Sequence, residues 1–477
     1  MENKKGSAFK AGFWYTISSI IVKSMAVLTT PFFTRLMTTS EYGYASTFIS
    51  WHALLLTIFS LNLTYSIGRA KLDFPDNLDD YIGSCQILSE IVSAILCIVV
   101  IMFISPFSKL FELTETGTVL LLLYLFFGPA ISFYQNGCRY RYIYKQNIGI
   151  AWYISLTTTV LSLILVYFWS GDKAIARMIG LTIPTVVLSI IIWVKMWKNN
   201  HLRINKEYWI YGWKLSGPLI IHTISLNILA QSDRIFITKF CGASDTGLYS
   251  LVYNYGMFLS LVTNSVAEGW LPWFHDTYYE GNFKEIRKNV KPLIIFGCFG
   301  GLACIALAPE AIFILGGKQY LTAINCVPPI VLGIVCQFIY THYVNIEMHL
   351  KKTVYVSGGT IIAASINVIL NYIFVPLFGF VAAAYTTLFS YIILMIIHFL
   401  ITRLKFNVHL YNDKLLFLAF IITSIISSLL ALIYSMNFVR YCVIAIGFAV
   451  FLIVFRDYVS GWINKMRKDK NPKQWET

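Results

Sequence analysis

Apolar runs of roughly 20 residues recur along almost the whole chain, each long enough to cross a ~30 Å hydrocarbon layer as a helix. They lack the alternation of apolar and polar positions that strands of a membrane barrel would show. A window of about 19 residues predicts about 14 spans: six between residues 12 and 197, six between 214 and 401, and two between 415 and 456. The segments between them are short, which leaves no room for a soluble catalytic domain.

The pattern repeats at a shift of 204 residues. "TRLMTTSEYGYAS" (Thr34 to Ser46) lies on "TKFCGASDTGLYS" (Thr238 to Ser250) without a gap. Thr34, Ser40, Gly43 and Ser46 match identically, and Arg35 and Glu41 are matched in charge by Lys239 and Asp245. Both segments end the first span of a six-span set and lead into the second. Six spans return the chain to its starting side, so the halves run in the same direction, related by an axis along the membrane normal. The expected fold is an all-α polytopic membrane protein of about 12–14 transmembrane helices. Two parallel six-helix lobes occupy residues 1–203 and 204–402 with a cleft between them, and two further helices with a basic tail occupy 403–477.

Composition agrees with this reading. The chain is 57% hydrophobic and 13% charged, against about 25% charged in soluble domains. A net charge of +14 would suggest nucleic acid as a partner of a soluble protein, but here its distribution sets orientation instead. With the N-terminus cytoplasmic, about 28 of the 37 Lys and Arg fall on cytoplasmic segments, Lys4, Lys5, Lys10, Arg139, Arg141, Lys351 and Lys352 among them. Both termini are therefore expected inside, where the basic excess attracts anionic lipid, and no nucleic acid is expected. Met1 to Lys10 leads directly into the first span without the small-residue cleavage site of a secretory signal. Trp14, Trp152, Trp193, Trp197, Trp213 and Trp270 fall at predicted span ends, where amphipathic rings favour the interface. Nine cysteines without a CxxC pair read as small buried apolar residues, not as a disulfide framework or a metal site.

Charges inside spans are the candidates for function. An Asp, Arg or Lys facing lipid at a helix centre costs about 2.5–3.5 kcal/mol on insertion scales. Asp233, Arg234 and Lys239 would together cost on the order of 7–10 kcal/mol, so the seventh span is expected to face the bundle interior or a watery cleft. His222 and Asp233 fall nearly on one helix face, and Arg234 is turned about 100° away. The first span adds Lys23 at mid-depth and Arg35 toward its outer end. A cavity lined by Lys23, Arg35, His222, Asp233, Arg234 and Lys239 would prefer an anion, and phosphate or diphosphate suits Arg and Lys. The plainer reading pairs Asp233 and Arg234 with a neighbouring helix and lets Lys239 snorkel to the interface.

Other polar residues carry less. Glu347, four residues before Lys351, is expected to form an ordinary helical ion pair with it. His342 and His349 stand two turns apart, which argues against a shared metal. Asn367 and Asn371, one turn apart, are expected to join helices by hydrogen bonds. No metalloprotease, hydrolase-elbow or nucleotide-binding motif occurs, so neither an enzyme nor a cofactor is expected. The energy source is then external: an ion gradient such as H+ or Na+, the membrane potential, or consumption of product on the far side.

Three stretches carry a resemblance. "LTTPFFTRLMTTSEYGYAS", "QSDRIFITKFCGASDTGLYSLVYN" and "NVILNYIFVPLFGFVAAAYTTLFSY" resemble the Wzx-type polysaccharide flippases of the multidrug, oligosaccharidyl-lipid and polysaccharide exporter superfamily, over roughly residues 8 to 455. The resemblance implies a multi-pass protein of the bacterial inner membrane. Its expected cargo is an undecaprenyl-diphosphate-linked oligosaccharide, an O-antigen or capsular repeat unit, moved from the cytoplasmic to the outer leaflet by alternating access. It also implies membrane lipids, a polysaccharide polymerase and a chain-length regulator as partners. In such relatives the first and seventh helices line the central cavity, which by position points to Lys23, Arg35, Asp233 and Arg234. This chain departs from strict twofold symmetry, because Asp233 and Arg234 align with Thr29 and Thr30. A drug or organic-cation antiporter would want acids to dominate the cavity, whereas cations outnumber acids in these two helices; a lipid II-type flippase would share the chemistry and differ in the glycan.

Overall fold

The computed structural model describes residues 14, 18, 21, 22, 24, 25, 27–199 and 201–469, with side chains to residue 456. The first lobe comprises α1 (27–36), α2 (Thr39–Phe59), α3 (Ile67–Asp73), α4 (Leu78–Met102), α5 (Ile104–Phe111), α6 (Glu115–Tyr140), α7 (Tyr144–Phe168) and α8 (Lys173–Lys198). The second comprises α9 (Lys206–Cys241), α10 (Ala243–Tyr279), α11 (Phe283–Ala306), α12 (Ala308–Gly316), α13 (Val327–His349), α14 (Thr353–Phe378) and α15 (Phe380–Leu400). Two helices follow, α16 (Asp413–Leu432) and α17 (Asn437–Asp469).

Ten of these helices are long and apolar enough to cross a membrane, eleven when α2 and α3, bent by 57° between them, count as one broken span. The bend falls where Leu61 and Asn62 take left-handed backbone angles. The helices α9 and α10 fall outside that set because charged and amide side chains interrupt them. At 36 and 37 residues and about 1.5 Å rise per residue, each is nonetheless far longer than a bilayer core. Among the described residues, ten or eleven helices thus meet the length and hydropathy of a span, and α9 and α10 meet the length alone.

The repeat governs the architecture. The helices α2 and α10 start 204 residues apart, and so do the short helices α5 and α12, each of which follows the third long helix of its lobe. Helix starts are marked by side chains that satisfy free backbone N–H groups. Thr38 and Glu41 form a reciprocal capping box on α2, while Thr114, Asp172 and Asn205 accept from the first turns of α6, α8 and α9. Single glycines make two of the turns: Gly242 joins α9 to α10 at φ 93° and Gly379 joins α14 to α15 at φ 73°, angles that a Cβ disfavours.

The main core runs through both lobes, with α13 buried over most of its length. A second apolar cluster closes the first lobe at the end opposite the α1–α2 turn, and Leu202, Tyr208 and Tyr211 of the connecting segment and early α9 pack on it. Trp270 departs from its expected interfacial place: it is 8% exposed and packs on Trp273 and His342 inside the second lobe.

Replacing Gly379 by Ala is expected to cost about 1–3 kcal/mol through backbone strain, read as a lower thermal midpoint in detergent. The Gly149→Ala control, whose added Cβ would meet nothing within 4 Å, is expected to hold or raise the midpoint because Ala favours helix.

Candidate functional site

The two lobes meet through the residues of the repeat. A Cβ added at Gly43 would lie 1.7 Å from the Ala243 carbonyl oxygen, and one at Gly247 would lie 2.0 Å from that of Thr39. The starts of α2 and α10 therefore touch backbone to backbone, and each glycine serves the same purpose in its own half. Hydroxyl pairs flank the contact: Thr39 with Ser244 at 2.8 Å and Thr47 with Thr238 at 2.6 Å. Toward the other end the seam stays polar. Ser50 donates to Gln231, Asn227 donates to the Ala53 carbonyl and to Thr57, and Asn62 donates to Thr223. Small residues and amides are what join helices where no apolar driving force exists between them.

Beside this seam lies a cavity of about 520 Å³ bounded by α1, α2, α7 and α8 of the first lobe and α10 of the second. Its walls carry the hydroxyls of Ser155, Thr158, Thr159 and Ser162, the amides of Asn254 and Asn264, and apolar Met257 and Phe258. Among the described residues its one cation is Arg177. The guanidinium lies 4.3 Å from the Phe33 ring centre and 4.8 Å from that of Tyr42, and its Nη1 is buried without a hydrogen-bond partner. The local sequence explains the position. Asp172 caps α8, the Lys173 backbone N–H donates to Glu41 and its ammonium to the Leu36 carbonyl. The first turn of α8 is thus pinned to the α1–α2 corner, and Arg177 follows one turn later on the same face.

Asp233 and Arg234 are buried, 1% and 6% exposed, but in the second lobe and not on the cavity wall. Asp233 accepts from neutral donors: Tyr249 at 2.5 Å, Asn371 at 2.9 Å, and Thr387 shared between its two oxygens. Asn367, Ser232 and Thr386 extend the network, which ties α9, α10, α14 and α15 together. Arg234 donates to Gln231 and to the Ala230 carbonyl and lies over the Tyr253 ring. The oxygens around Asp233 have the chemistry to take up a proton or a small hard cation. Among the described residues no group of three His, Cys, Asp or Glu could hold a metal ion.

The remaining expected residues are dispersed. Lys23 lies outside the described residues. Arg35 is exposed and donates to the carbonyls of Pro31 and of Ile314 in the last turn of α12, where a cation is favoured; together with the bond from Thr34 to the Leu315 carbonyl it straps the first lobe to the second. Lys239 is exposed, 5.6 Å from the Phe240 ring centre. His222 is half-buried with a partnerless Nδ1. It falls on the side of α9 that Asp233 turns to α15: Asp233 meets Thr387, and His222 and His398 lie eleven residues from them toward the same end of these antiparallel helices. Asn367 and Asn371 do join helices.

The expected helical ion pair is not made either. Glu347 does not pair with Lys351: α13 ends at His349, Lys351 takes a left-handed angle outside it, and the carboxylate turns inward to His398 at 2.9 Å. Arg177, in turn, escaped notice because a cation one turn inside a span start looks like an interfacial anchor; the available signal was its i, i+4 spacing from Lys173. Thr387→Val, which removes a donor shared by both Asp233 oxygens, is expected to cost about 1–3 kcal/mol in thermal unfolding, against little change for Thr341→Val, whose hydroxyl bonds only to the Gln337 carbonyl of its own helix.

Comparison with known proteins agrees with this fold. An uncharacterised membrane protein of Methanocaldococcus jannaschii is 21% identical over 421 residues, 82% of this chain and 83% of that protein. The fold matches the lipid II flippase MurJ in an inward closed conformation, with a TM-score of 0.72 at 16% identity over 94% of this chain and all of that one. It also matches an inward-facing multidrug resistance transporter of the MATE family, of the MOP superfamily, with a TM-score of 0.61 at 14% identity over 81% of this chain and 94% of that one. Residues 8–278 match the family described as polysaccharide biosynthesis protein, more than half of the sequence, and the chain belongs to that family.

Proposed function

We propose that this protein is a flippase that carries an undecaprenyl-diphosphate-linked oligosaccharide, an O-antigen or capsular repeat unit, from the cytoplasmic to the outer leaflet of a bacterial inner membrane. The observation that carries the reading is the cavity between the lobes, where a guanidinium with one unpartnered nitrogen stands among hydroxyl and amide walls. A diphosphate suits the first and sugar hydroxyls suit the second, while the polyprenyl chain stays in lipid between the lobes. With both termini cytoplasmic, as the basic loops suggest, the glycine seam closes the outer end. The lobes 1–203 and 204–402 then rock so that this seam opens and closes in each cycle, and the helices of the segment 403–477 ride on the second.

In this scheme Arg177 is the principal anion contact, and Lys23 is proposed from its place in the sequence as a second. Arg35 holds the outer end shut, and Lys239 marks the outer interface. Asp233 and Arg234 set the register of α9, on which His222 also lies, and Asp233 offers a site for a coupling H+ or Na+. The protein is a carrier, not an enzyme, and its product would pass to a polymerase and chain-length regulator. The MATE-like fold also suits a drug antiporter, but the described lining of the cavity contains no acid, which an organic cation would need.

Arg177→Ala is expected to lower surface glycan about tenfold or more, the loss of a charge-assisted contact, with lipid-linked glycan accumulating in the cytoplasmic leaflet at normal protein level. Arg177→Lys is expected to recover part of the activity. Wild-type surface glycan in Arg177→Ala would overturn the proposal.

A further inference from the structure

At the end of the second lobe away from the seam, a carboxylate and an imidazole are sealed together. Glu347 of α13 is 0% exposed and His398 of α15 is 1% exposed, with Oε1 and Nδ1 2.9 Å apart. The other carboxylate oxygen is buried with no hydrogen-bond partner. Room for the ring exists because α14 presents Gly359 to it, where an added Cβ would come within 3.1 Å of the His398 Cε1, and Tyr340 stacks on its face. An ion pair so enclosed contributes little to stability compared with apolar side chains of the same volume. An oxygen left unsatisfied contributes less still.

The charged and titratable surroundings are few. His222 of α9 lies eleven residues from Asp233, as His398 lies eleven from its partner Thr387 on the antiparallel α15, and His342 of α13 is buried with neither ring nitrogen bonded. One turn beyond His398, Arg403 is paired with Asp413, which also accepts from Tyr343. Arg403 spends its Nη1 and Nη2 on the Val408 and Tyr411 carbonyls and on Asp413, which leaves Glu347 to His398. His222 is half-buried and its Nδ1 has no hydrogen-bond partner, and of these three histidines it alone is not fully buried. The residue after it, Thr223, takes the hydrogen bond from Asn62 that fastens the two lobes at this end.

We propose that the Glu347–His398 pair is a proton-binding site whose occupancy controls the contact between the lobes, with His222 as the residue through which protons enter and leave. With both ring nitrogens of His398 protonated and Nδ1–H donated to Glu347 Oε1, the pair is neutral overall and its enclosure is tolerated. Loss of one proton to water at His222 leaves a neutral imidazole beside the carboxylate, a net negative charge in an apolar enclosure. Burying an unpaired charge is strongly unfavourable, so α9 is driven to open toward water beside Thr223 and the Asn62 bond is released. Proton release then favours the lobes parting at this end, and uptake favours their closing. As a coupling device the site rests on the flippase reading, but proton binding itself does not.

The test uses the full-length protein in lipid nanodiscs. Exchange of the imidazole C2 hydrogen, followed by mass spectrometry across pH, gives the titration midpoint of His398, and backbone amide exchange reports on the segments around Asn62 and Thr223. In wild type, protection of these segments is expected to fall as pH rises through the His398 midpoint. In Glu347→Gln the midpoint is expected to drop by about one to three pH units, the effect of removing an adjacent opposite charge, and the pH response of the segments to disappear. Should Glu347→Gln fail to fold, Glu347→Asp carries the test with a smaller shift in the same direction. An unchanged His398 midpoint, or segments indifferent to pH in wild type, overturns the proposal. Loss of the response in Glu347→Gln with undiminished glycan export refutes the coupling and leaves the flippase standing. An intact response in a protein that exports no lipid-linked glycan refutes the flippase and leaves the proton site standing.

Discussion

Between Gly43 and Gly247 there is no space for a side chain, and the placement of everything else follows from that. Two helices from different lobes can approach to backbone contact only where both lack a Cβ, and each glycine here faces the first residue of the opposing helix. The approach brings Thr39 to Ser244 and Thr47 to Thr238, so the hydroxyls that would otherwise face lipid find partners. Because α2 and α10 are pinned at one end, the space left beside them widens into the cavity that Arg177 enters.

Burial of polar groups in a membrane interior is tolerated when each finds a partner, and the second lobe shows how far this goes. Asp233 is held by three hydroxyl or amide donors from three other helices, which makes it a fastening as well as a charge. Arg177 and Glu347 break the rule, each keeping a buried polar atom without a partner. An unsatisfied group that the surrounding packing enforces is where a ligand or a proton has something to gain by arriving.

Much of this was legible in the sequence, for stated reasons. Spans follow from apolar length alone, and the 204-residue shift survives because Thr34, Gly43 and Ser46 and their counterparts occupy symmetric contacts that tolerate few residues. The energetic cost of Asp233 and Arg234 in lipid placed them correctly inside the protein, yet could not say whether inside meant the cavity or the lobe; that depends on Asn371 and Thr387, more than 130 residues away. Glu347 misled for the same reason, since helical spacing suggested Lys351 while the partner lay on another helix. Long-range pairing has no local signature, whereas periodicity and repeat do.

The central claim is that the lobes separate at the glycine seam during each cycle. Cysteines at Thr39 and Ser244, whose hydroxyls are 2.8 Å apart, would tie it shut. Export of lipid-linked glycan in cells carrying both substitutions is expected to stop on oxidation and to return on reduction, with either single substitution unaffected. Undiminished export by fully cross-linked protein would contradict the account.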